Sequence, residues 1–252
     1  MKVDNGIAIV TGGNRGIGEA FVREFLGAGA HKVYIGTREP SGPGHLIDEF
    51  GDQVEPIQLD VTSDAQIKEA AAYCDDVNIL VNNAGAFLHL TLIGAPDLRA
   101  AREEMEVNYF GALSMCRYFA PVLEKNGGGA IVNVLSAGAI ISAPNMGGYS
   151  PSKFAARAMT TNVRAELEGQ DTQVSALIVG SVDTRMASHV KGFKEPASTI
   201  ARAGIKAIEK NIPEMDTDPM AVGMRAALAR DPSAMEKQMA ALLKSSVIST
   251  GR

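Results

Sequence analysis

A tyrosine and a lysine, Tyr149 and Lys153, lie four positions apart in the stretch YSPSK and form the pair in this sequence best suited to acid–base chemistry. On a helix, that spacing places both side chains on one face. Pro151 is compatible with a helix that starts here, because a proline in the first turn has no helical N–H to lose. Free tyrosine, with a pKa of about 10, exchanges protons poorly near neutrality, but a neighbouring ammonium lowers that pKa. The pair predicts a general acid–base site, although an ordinary surface pair on a helix has the same spacing.

The second chemical signal is the glycine-rich stretch IAIVTGGNRGIGEAF, residues 7–21. Its apolar start predicts a strand, and the residues after Gly16 predict a helix. We expect Gly12 to permit a tight turn, Gly16 to let a ligand approach the backbone, and Gly18 to let helix and strand pack closely. A helix N-terminus carries unpaired N–H groups and a partial positive charge, so such a turn suits a pyrophosphate. A glycine-rich turn without a ligand is the alternative.

These groups need a scaffold, and the chain alternates short β-branched runs with longer stretches of helical periodicity. The runs are almost continuously apolar, which is typical of strands covered on both faces. Repeated strand–helix units predict a parallel sheet with right-handed crossovers. The predicted fold class is therefore α/β, a Rossmann-type doubly wound parallel sheet flanked by helices on both faces. The predicted strands are residues 6–11, 32–36, 54–59, 79–82, 129–135 and 173–179.

The chain is expected to form a single domain. No linker rich in proline, glycine and serine divides residues 1–252, so one dinucleotide-binding and catalytic domain is predicted. Residues 187–218 are polar and contain prolines, and we expect them to form a lid over the substrate. Residues from about 220 to 245 predict a helical tail, with no closing strand at the C-terminus.

Composition narrows the class of protein. Hydrophobic residues make up 46% and charged residues 21% of the chain, the balance of a soluble globular protein. The net charge of −5 and the lack of a Lys/Arg run argue against a nucleic-acid partner. Neither the two cysteines, Cys74 and Cys116, nor the four histidines form a metal-binding motif, so no metal site is predicted. Without a recognisable signal peptide or membrane span, the expected location is cytoplasmic, with no membrane partner.

In chain order, the motifs resemble those of the short-chain dehydrogenase/reductase family, particularly its carbonyl reductases and ketoreductases. The glycine motif TGGNRGIG matches that family's TGxxxGxG rather than the GxGxxG of the common dinucleotide fingerprint. It is followed by LDVT at 59–62, NNAG at 82–85, VNYFG around Asn108, Ser136 after the fifth predicted strand, YSPSK at 149–153 and VGSVDT at 179–184. The resemblance covers about residues 7–184, and the order of the motifs carries it.

The resemblance implies hydride transfer between a nicotinamide cofactor and a carbonyl group. It assigns Tyr149 the proton transfer to the carbonyl oxygen, Ser136 a hydrogen bond to that oxygen, and Lys153 a bond to the nicotinamide ribose. Asn108 would bind a water that links Lys153 to solvent as a proton relay. The predicted catalytic residues are Asn108, Ser136, Tyr149 and Lys153.

The end of the second predicted strand indicates which nicotinamide is bound. An NAD site usually has an acidic residue there, whereas this chain has Thr37 and Arg38, and Arg15 lies in the glycine loop. Two guanidinium groups favour a 2′-phosphate, so NADP(H) is the predicted cofactor, although Glu39 could instead bond a ribose hydroxyl. By resemblance, Asp60 meets the adenine and Thr184 the carboxamide. The predicted cofactor-binding residues are Gly12, Asn14, Arg15, Gly16, Ile17, Gly18, Thr37, Arg38, Asp60, Val61, Asn83, Ala84, Gly85, Tyr149, Lys153, Val182 and Thr184.

The expected pocket walls predict the substrate class. Residues 87–90, 137–141 and 144–146, together with Val182 and Met186, are largely apolar and include small residues that leave room. They favour a hydrophobic or bulky ketone and the matching secondary alcohol, with 3-oxoacyl thioester reduction as the alternative. The expected partners are this small-molecule substrate and further copies of the chain in a dimer or tetramer.

Two other functional classes fit less well. A Ser-His-Asp hydrolase is disfavoured because VLSAG matches only half of the GxSxG elbow, with Val134 in place of the first glycine. A non-catalytic NADP(H)-binding sensor would keep the glycine loop and lose the active site, whereas Ser136, Tyr149 and Lys153 are all present. One departure from the family pattern is Val179, which stands where a proline is usual.

Overall fold

One parallel sheet forms the centre of the molecule. The computed structural model describes residues 1–188 and 190–249. The strands are β1 (Ile7–Thr11), β2 (Lys32–Thr37), β3 (Val54–Gln58), β4 (Ile79–Asn82), β5 (Gly129–Val134), β6 (Thr172–Ile178) and β7 (Glu214–Asp216). Their order is β3-β2-β1-β4-β5-β6-β7, and every pairing between neighbours is parallel.

Helices cover both faces of this sheet, so the predicted doubly wound α/β fold is confirmed. They are α1 (Gly16–Gly27), α2 (Gly44–Phe50), α3 (Asp64–Tyr73), α4 (Arg99–Met105), α5 (Ala112–Lys125), α6 (Tyr149–Glu166), α7 (Ala197–Lys210), α8 (Pro219–Arg230) and α9 (Pro232–Ser249). A π-helical stretch, Glu106–Gly111, joins α4 to α5.

Alternate residues of the central strands point to opposite faces of the sheet, and both faces are buried. On β1, Ile9 packs with Phe119 on the face covered by α3, α5 and α6. Its neighbours Ala8 and Val10 pack with Phe21 on the face covered by α1, α2 and α7. Burial on both sides explains why these strands are recognisable as continuous apolar runs.

The order of the strands reverses at β1. The chain runs outward from β1 to β2 and β3, and then continues with β4 on the other side of β1. In a doubly wound sheet, this reversal opens a crevice outside the carboxyl ends of the strands. Thr11, the last residue of β1, joins the two sides: its hydroxyl donates to Val81 O (3.3 Å) and accepts from the N–H groups of Asn83 (2.9 Å) and Ala84 (3.0 Å).

The sheet has a seventh strand that the sequence analysis did not predict, in the segment expected to form the lid. β7 is three residues long and pairs with β6. Its two carboxylates bind arginines: Arg157 Nε lies 2.7 Å from Glu214, and Arg225 Nε lies 2.6 Å from Asp216. A strand this short, with acidic residues at two positions, has neither the length nor the apolar pattern by which strands are recognised.

The predicted lid, residues 187–218, was wrong in its extent. Residues 197–210 form α7, which packs against α1 and contributes Ile200 and Ile208 to the core. Gly204 permits this approach, since a β-carbon there would lie 2.4 Å from Phe21 Cε1. Both α7 and β7 therefore belong to the body of the domain, and residues 179–196 form the segment after β6. Within that segment, His189 lies outside the described residues.

Two helices, α8 and α9, form where a helical tail is predicted. Asp218 caps α8 by accepting from Ala221 N (3.0 Å) and also accepts from Gly180 N (2.7 Å), which ties the tail to the end of β6. Among the helices of the described chain, none has the length and apolar character needed to cross a membrane.

Candidate active site

The predicted cofactor residues lie at or beyond the carboxyl ends of five strands: β3, β2, β1, β4 and β6. They follow β1 at the glycine turn, β2 at Thr37, β3 at Asp60, β4 at Asn83 and β6 at Val182. This edge is where the strand order reverses, so the fold brings together residues that are far apart in the sequence.

The glycine turn has the backbone geometry that its residues predict. Gly12 and Gly16 adopt positive φ values of 63° and 56°, a conformation that disfavours side chains. A β-carbon on Gly18 would lie 2.2 Å from Gly12 O, so only glycine fits there. The amide of Asn83 fixes the turn from β4, because its Nδ2 donates to Thr11 O (2.9 Å) and Gly12 O (3.3 Å).

The N-terminus of α1 lies within this turn. Gly16, Ile17 and Gly18 form its first residues, and no side chain among the described residues caps it. The N–H groups of a first turn have no intrahelical acceptor, so they fit an anionic group. Thr184 faces the turn across the crevice, since a β-carbon on Gly16 would lie 3.2 Å from Thr184 Cγ2. These residues fit the pyrophosphate of a dinucleotide.

The loop after β6 lines the same crevice. Val182 is buried and pairs with Glu195 in an isolated parallel bridge. The preceding Ser181 carries a buried hydroxyl without a hydrogen-bond partner among the described residues. Buried hydroxyls are normally satisfied, so Ser181 is a group that a bound ligand or water could satisfy.

The residues predicted to select NADP(H) lie beyond β1 and β2. Arg15 and Arg38 are exposed, and neither forms an ion pair within the described chain. Thr37 is buried, and its hydroxyl accepts from Glu39 N (3.3 Å). Asn14 lies close by, since a β-carbon on Gly42 would be 3.6 Å from Asn14 Nδ2. Both guanidinium groups are therefore available to an anion.

Asp60, the predicted adenine contact, and Val61, a further predicted cofactor-binding residue, follow β3. The Oδ1 of Asp60 accepts from the N–H (2.9 Å) and the hydroxyl (2.8 Å) of Thr62, which orients the carboxylate. Val61 is buried against Gly111, where a β-carbon would lie 2.9 Å from Val61 Cγ2.

Tyr149 begins α6 and lies beside Ser136, the residue that follows β5 by two positions. The two side chains are hydrogen-bonded, and Ser136 Oγ also accepts from Gly138 N at 3.0 Å. The ring of Tyr149 packs on Phe87, with 4.9 Å between the ring centroids. Only 8% of Tyr149 is exposed, so its hydroxyl lies in a largely dry environment.

Lys153 lies one turn further along α6 and is 5% exposed. Its Nζ donates to Val134 O (3.1 Å) and lies 5.7 Å from the centroid of the Tyr149 ring. Burial lowers the pKa of Lys153 from 10.5 to about 8, so the amine can exchange a proton near neutral pH. Gly85 completes this group, since a β-carbon there would be 3.7 Å from Lys153 Nζ.

The pKa of Tyr149 differs from the sequence-based expectation that a nearby ammonium lowers it. Burial raises the pKa of Tyr149, the hydrogen bond from Ser136 lowers it, and the charge of Glu104 raises it. The net direction is upward in the protein alone. Lys153 does not reverse this shift, because its amine donates to the Val134 carbonyl rather than to the phenol.

The side-chain amide of Asn108 is engaged by protein groups. Asn108 is buried in the π-helical stretch, its Oδ1 accepts from Ala86 N (2.9 Å), and its Nδ2 donates to Ala86 O and to Ser152 Oγ (2.9 Å each). These bonds join the loop after β4 to α6. The water relay through Asn108 stays a prediction. The structure shows Asn108 hydrogen-bonded to Ala86 and Ser152.

The sequence analysis missed Glu104, a buried carboxylate on α4. Its Oε1 accepts from Leu88 N at 2.8 Å, and it also accepts from the backbone N–H of Gly148. Glu104 stands in the charged run REEME, which reads as a solvated helix face. The available signal was its position four residues before Asn108, which places both side chains on one helical face.

The described residues contain no cluster of side chains suited to bind a metal ion. No group of three or more His, Cys, Asp or Glu side chains there could hold an ion. His31, His45 and His89 are exposed, and His189 lies outside the described residues.

Comparison with known proteins adds an independent line of information. A model of the short chain dehydrogenase family matches residues 6–194. The 7alpha-hydroxysteroid dehydrogenase of Escherichia coli (strain K12) is 31% identical over 196 residues, which cover 73% of this chain and 74% of that protein. The galactitol 2-dehydrogenase (L-tagatose-forming) of Cereibacter sphaeroides is 36% identical over 193 residues, which cover 74% of this chain and 75% of that protein.

A solved structure extends the similarity to nearly the whole chain. The crystal structure of a short chain dehydrogenase from Burkholderia cenocepacia J2315 in complex with NADP superposes with a TM-score of 0.89. The two chains are 37% identical, and the match covers 95% of this chain and 99% of that one.

Proposed function

The chain belongs to the short-chain dehydrogenase family of nicotinamide-dependent oxidoreductases, and we propose that it reduces hydrophobic or bulky ketones with NADPH and oxidises the matching secondary alcohols with NADP+. One observation carries this proposal: the hydrogen-bonded hydroxyl groups of Tyr149 and Ser136 lie buried beside Lys153 at the edge of the sheet where the glycine turn lies. Such a hydroxyl pair suits a carbonyl oxygen that must gain or lose a proton.

In the proposed mechanism, Tyr149 donates its phenolic proton to the carbonyl oxygen as the carbon–oxygen double bond becomes a single bond. Ser136 donates a hydrogen bond to the same oxygen and stabilises its developing negative charge. A bound nicotinamide supplies the hydride that goes to the carbonyl carbon. Lys153, with a pKa of about 8, is suited to return a proton to Tyr149 near neutral pH.

The protein's part in cofactor binding follows from the same edge of the sheet. The first turn of α1 would hold the pyrophosphate, and the segment from Asn83 to Gly85 would lie along the nicotinamide half beside Lys153. The loop that contains Val182 and Thr184 would close the opposite wall. These roles are the ones predicted from the sequence, and they stay predictions.

The preference for NADP(H) rests on Arg15 and Arg38. Both guanidinium groups are exposed without an ion-pair partner in the described chain, and no acidic residue occupies the end of β2. A 2′-phosphate would satisfy both, whereas a ribose hydroxyl would satisfy neither charge. The Burkholderia cenocepacia relative, which is 37% identical, was crystallised with NADP.

The substrate class is proposed from the walls next to Ser136. A β-carbon on Gly138 would lie 3.4 Å from Ser136 Oγ and 3.5 Å from Met146 Cε, so a methionine methyl lies close to the reacting position. Met146 packs in turn against a cluster that includes Met235 and Met239 of α9. Methionine side chains adapt to irregular apolar shapes, which suits a bulky hydrophobic ketone.

The proposal includes two features of the whole protein. We expect a homo-oligomer, because Phe110 and Phe154 are 48% and 40% exposed on adjoining elements, the π-helical stretch and α6. We also expect a cytoplasmic location, where the buried thiols of Cys74 and Cys116 stay reduced.

The proposed function is tested by following the absorbance of NADPH, and separately NADH, with a panel of bulky aryl ketones, small ketones and 3-oxoacyl thioesters. We expect NADPH oxidation with the bulky free ketones. Turnover of acyl thioesters alone would make the protein a 3-oxoacyl reductase. Tight NADPH binding without turnover of any substrate would support a cofactor sensor and contradict the proposal.

A further inference from the structure

Glu104 is a buried carboxylate that the proposed mechanism does not use. Only 1% of the residue is exposed, although α4 is otherwise rich in solvent-facing charges. No lysine or arginine of the described residues forms an ion pair with it. Burying a carboxylate without a cation is costly unless hydrogen bonds satisfy it, so such a residue is expected to serve a specific purpose.

Two backbone donors on different segments satisfy this carboxylate. Leu88 N, in the loop after β4, donates to Glu104 Oε1 at 2.8 Å. Gly148 N, which immediately precedes Tyr149, is the second donor. A single side chain therefore joins the loop after β4 to the start of α6.

Both joined segments hold Tyr149. Leu88 lies between Phe87, whose ring packs on Tyr149 at 4.9 Å, and His89, whose ring packs on Phe87 at 3.9 Å. Gly148 fixes the backbone from which the Tyr149 side chain projects. The bond to Leu88 thus positions the ring that covers Tyr149, and the bond to Gly148 positions the residue itself.

The sequence at position 148 is constrained by this contact. A β-carbon on Gly148 would lie 2.7 Å from Glu104 Oε2 and 2.7 Å from Ala101 Cα. Any side chain would push α4 away from the start of α6. The close approach therefore requires both the glycine and the carboxylate.

We propose that Glu104 is a positioning residue, whose two backbone hydrogen bonds hold Tyr149 in the orientation needed for proton transfer with the substrate. The inference rests on the proposed function and names no new contact with the substrate. It predicts that the carboxylate matters for turnover although it does not touch the reacting atoms.

The charge of Glu104 gives this role a measurable signature. Its negative charge raises the pKa of Tyr149, while burial raises the pKa of Glu104 itself despite the hydrogen bonds from Leu88 and Gly148. Two other acidic groups lie around it. Glu103 is on the same helix, and Asp97 lines a small cavity together with Glu104 and Gly148. Removing the charge is therefore expected to lower the pKa of Tyr149.

The test compares Glu104→Gln with Glu106→Gln, a control that removes an exposed carboxylate from the adjoining π-helical stretch. An amide replaces one of the two acceptor oxygens with an NH2 donor group, so Glu104→Gln removes the charge and weakens the bonding to the two backbone N–H groups. We expect faster amide hydrogen exchange at Leu88 and Gly148 in Glu104→Gln and no change in Glu106→Gln. Unchanged exchange in Glu104→Gln would overturn the proposal.

Kinetics supply the second readout. We expect kcat to fall by about 10- to 100-fold in Glu104→Gln, the effect of a misplaced catalytic group, with the KM for NADPH unchanged. Alcohol oxidation needs deprotonated Tyr149, so its rate falls at acid pH. In Glu104→Gln, this acid limb of the pH–rate profile is expected to shift to lower pH. A native kcat and an unshifted limb would overturn the proposal.

A variant with a shorter carboxylate side chain distinguishes the effect of the charge from the effect of side-chain length. It also provides the test if Glu104→Gln does not fold. Glu104→Asp keeps the charge but cannot reach both donors, so it is expected to show faster exchange and a reduced kcat with a smaller shift of the acid limb. Native exchange in this variant would contradict the positioning role. If the native enzyme reduces no ketone, the proposed function fails, while the exchange measurement still decides whether Glu104 holds these two segments.

Discussion

At the scale of single residues, Tyr149 is surrounded by groups that act on its proton in opposite directions. Burial and the charge of Glu104 raise its pKa, and the hydrogen bond from Ser136 lowers it. Lys153, with a pKa of about 8, is the group nearby whose proton exchanges near neutrality. The arrangement keeps the phenol protonated in the free protein, the state that ketone reduction requires.

The cofactor preference gives a prediction for one residue. Arg38→Asp is expected to raise the KM for NADPH roughly 10- to 100-fold, since a charge-assisted contact to a phosphate contributes about 1.5–3 kcal/mol. The KM for NADH should change little. Steady-state kinetics with both cofactors measure the difference.

The matched control for that experiment is Arg230→Asp, a substitution of an exposed arginine at the end of α8. It should leave both KM values unchanged. Equal losses with NADPH and NADH in Arg38→Asp would contradict the assignment of Arg38 to a 2′-phosphate.

Residue-level prediction from the sequence succeeded where the residue type itself carries the signal. Gly12, Gly16 and Gly18 occupy the turn that their spacing predicts, because the positive φ values of Gly12 and Gly16 favour glycine and a β-carbon on Gly18 would collide with Gly12 O. Glu104 was not predicted as a site residue because charged residues are usually exposed. Its burial depends on a tertiary contact with Gly148, which the local sequence pattern does not indicate.

At the scale of elements, the buried strands were predictable and the short edge strand was not. The six longer strands begin and end within one residue of their predicted limits. Burial gives most of them an apolar run, whereas β3 lies at the edge of the sheet and only its Val54 is buried. β7 depends instead on arginines from α6 and α8 that bind Glu214 and Asp216. α7 was mistaken for a lid because its buried face is set by packing against α1.

The packing of α1 on the glycine turn yields a prediction from two glycines of one helix. Gly18→Ala would place a β-carbon 2.2 Å from Gly12 O. We expect it to lower the free energy of unfolding by about 1–3 kcal/mol and to weaken NADPH binding, because the turn must move. Urea unfolding and a cofactor titration measure the two effects.

Gly27→Ala is the control for this prediction. Gly27 ends the same helix, and nothing lies within 4 Å of a β-carbon built there. Its free energy of unfolding should stay the same or rise by about 0.4–1 kcal/mol. Equal stability of the Gly18→Ala and Gly27→Ala proteins would refute the packing argument.

At the scale of the whole molecule, the candidate active site lies at one edge of the sheet, and the hydrophobic cores lie on its two faces. Cores on both faces hold the strands rigidly, so loops after different strands meet with fixed spacing. A third cluster joins α9 to residues 141–146 and extends this framework to the C-terminus.

The proposed oligomer makes a prediction at this scale. The double variant Phe110→Glu/Phe154→Glu is expected to be monomeric, because it puts charges on the exposed apolar rings of the π-helical stretch and α6. Light scattering after gel filtration measures the mass. Ile93→Glu, at a residue that is 97% exposed in the loop after β4, should keep the native mass. A native protein that is already monomeric would contradict the oligomer.

The central claim is that Tyr149 exchanges the proton of the substrate oxygen, and its most direct test is the rate of NADPH oxidation by Tyr149→Phe with a ketone that the native protein reduces. The account predicts a fall in kcat of about 10²- to 10⁴-fold with NADPH binding retained, since only the reacting hydroxyl is lost. Tyr118→Phe, a half-buried tyrosine of α5, should keep the native rate. Native turnover by Tyr149→Phe would contradict the account.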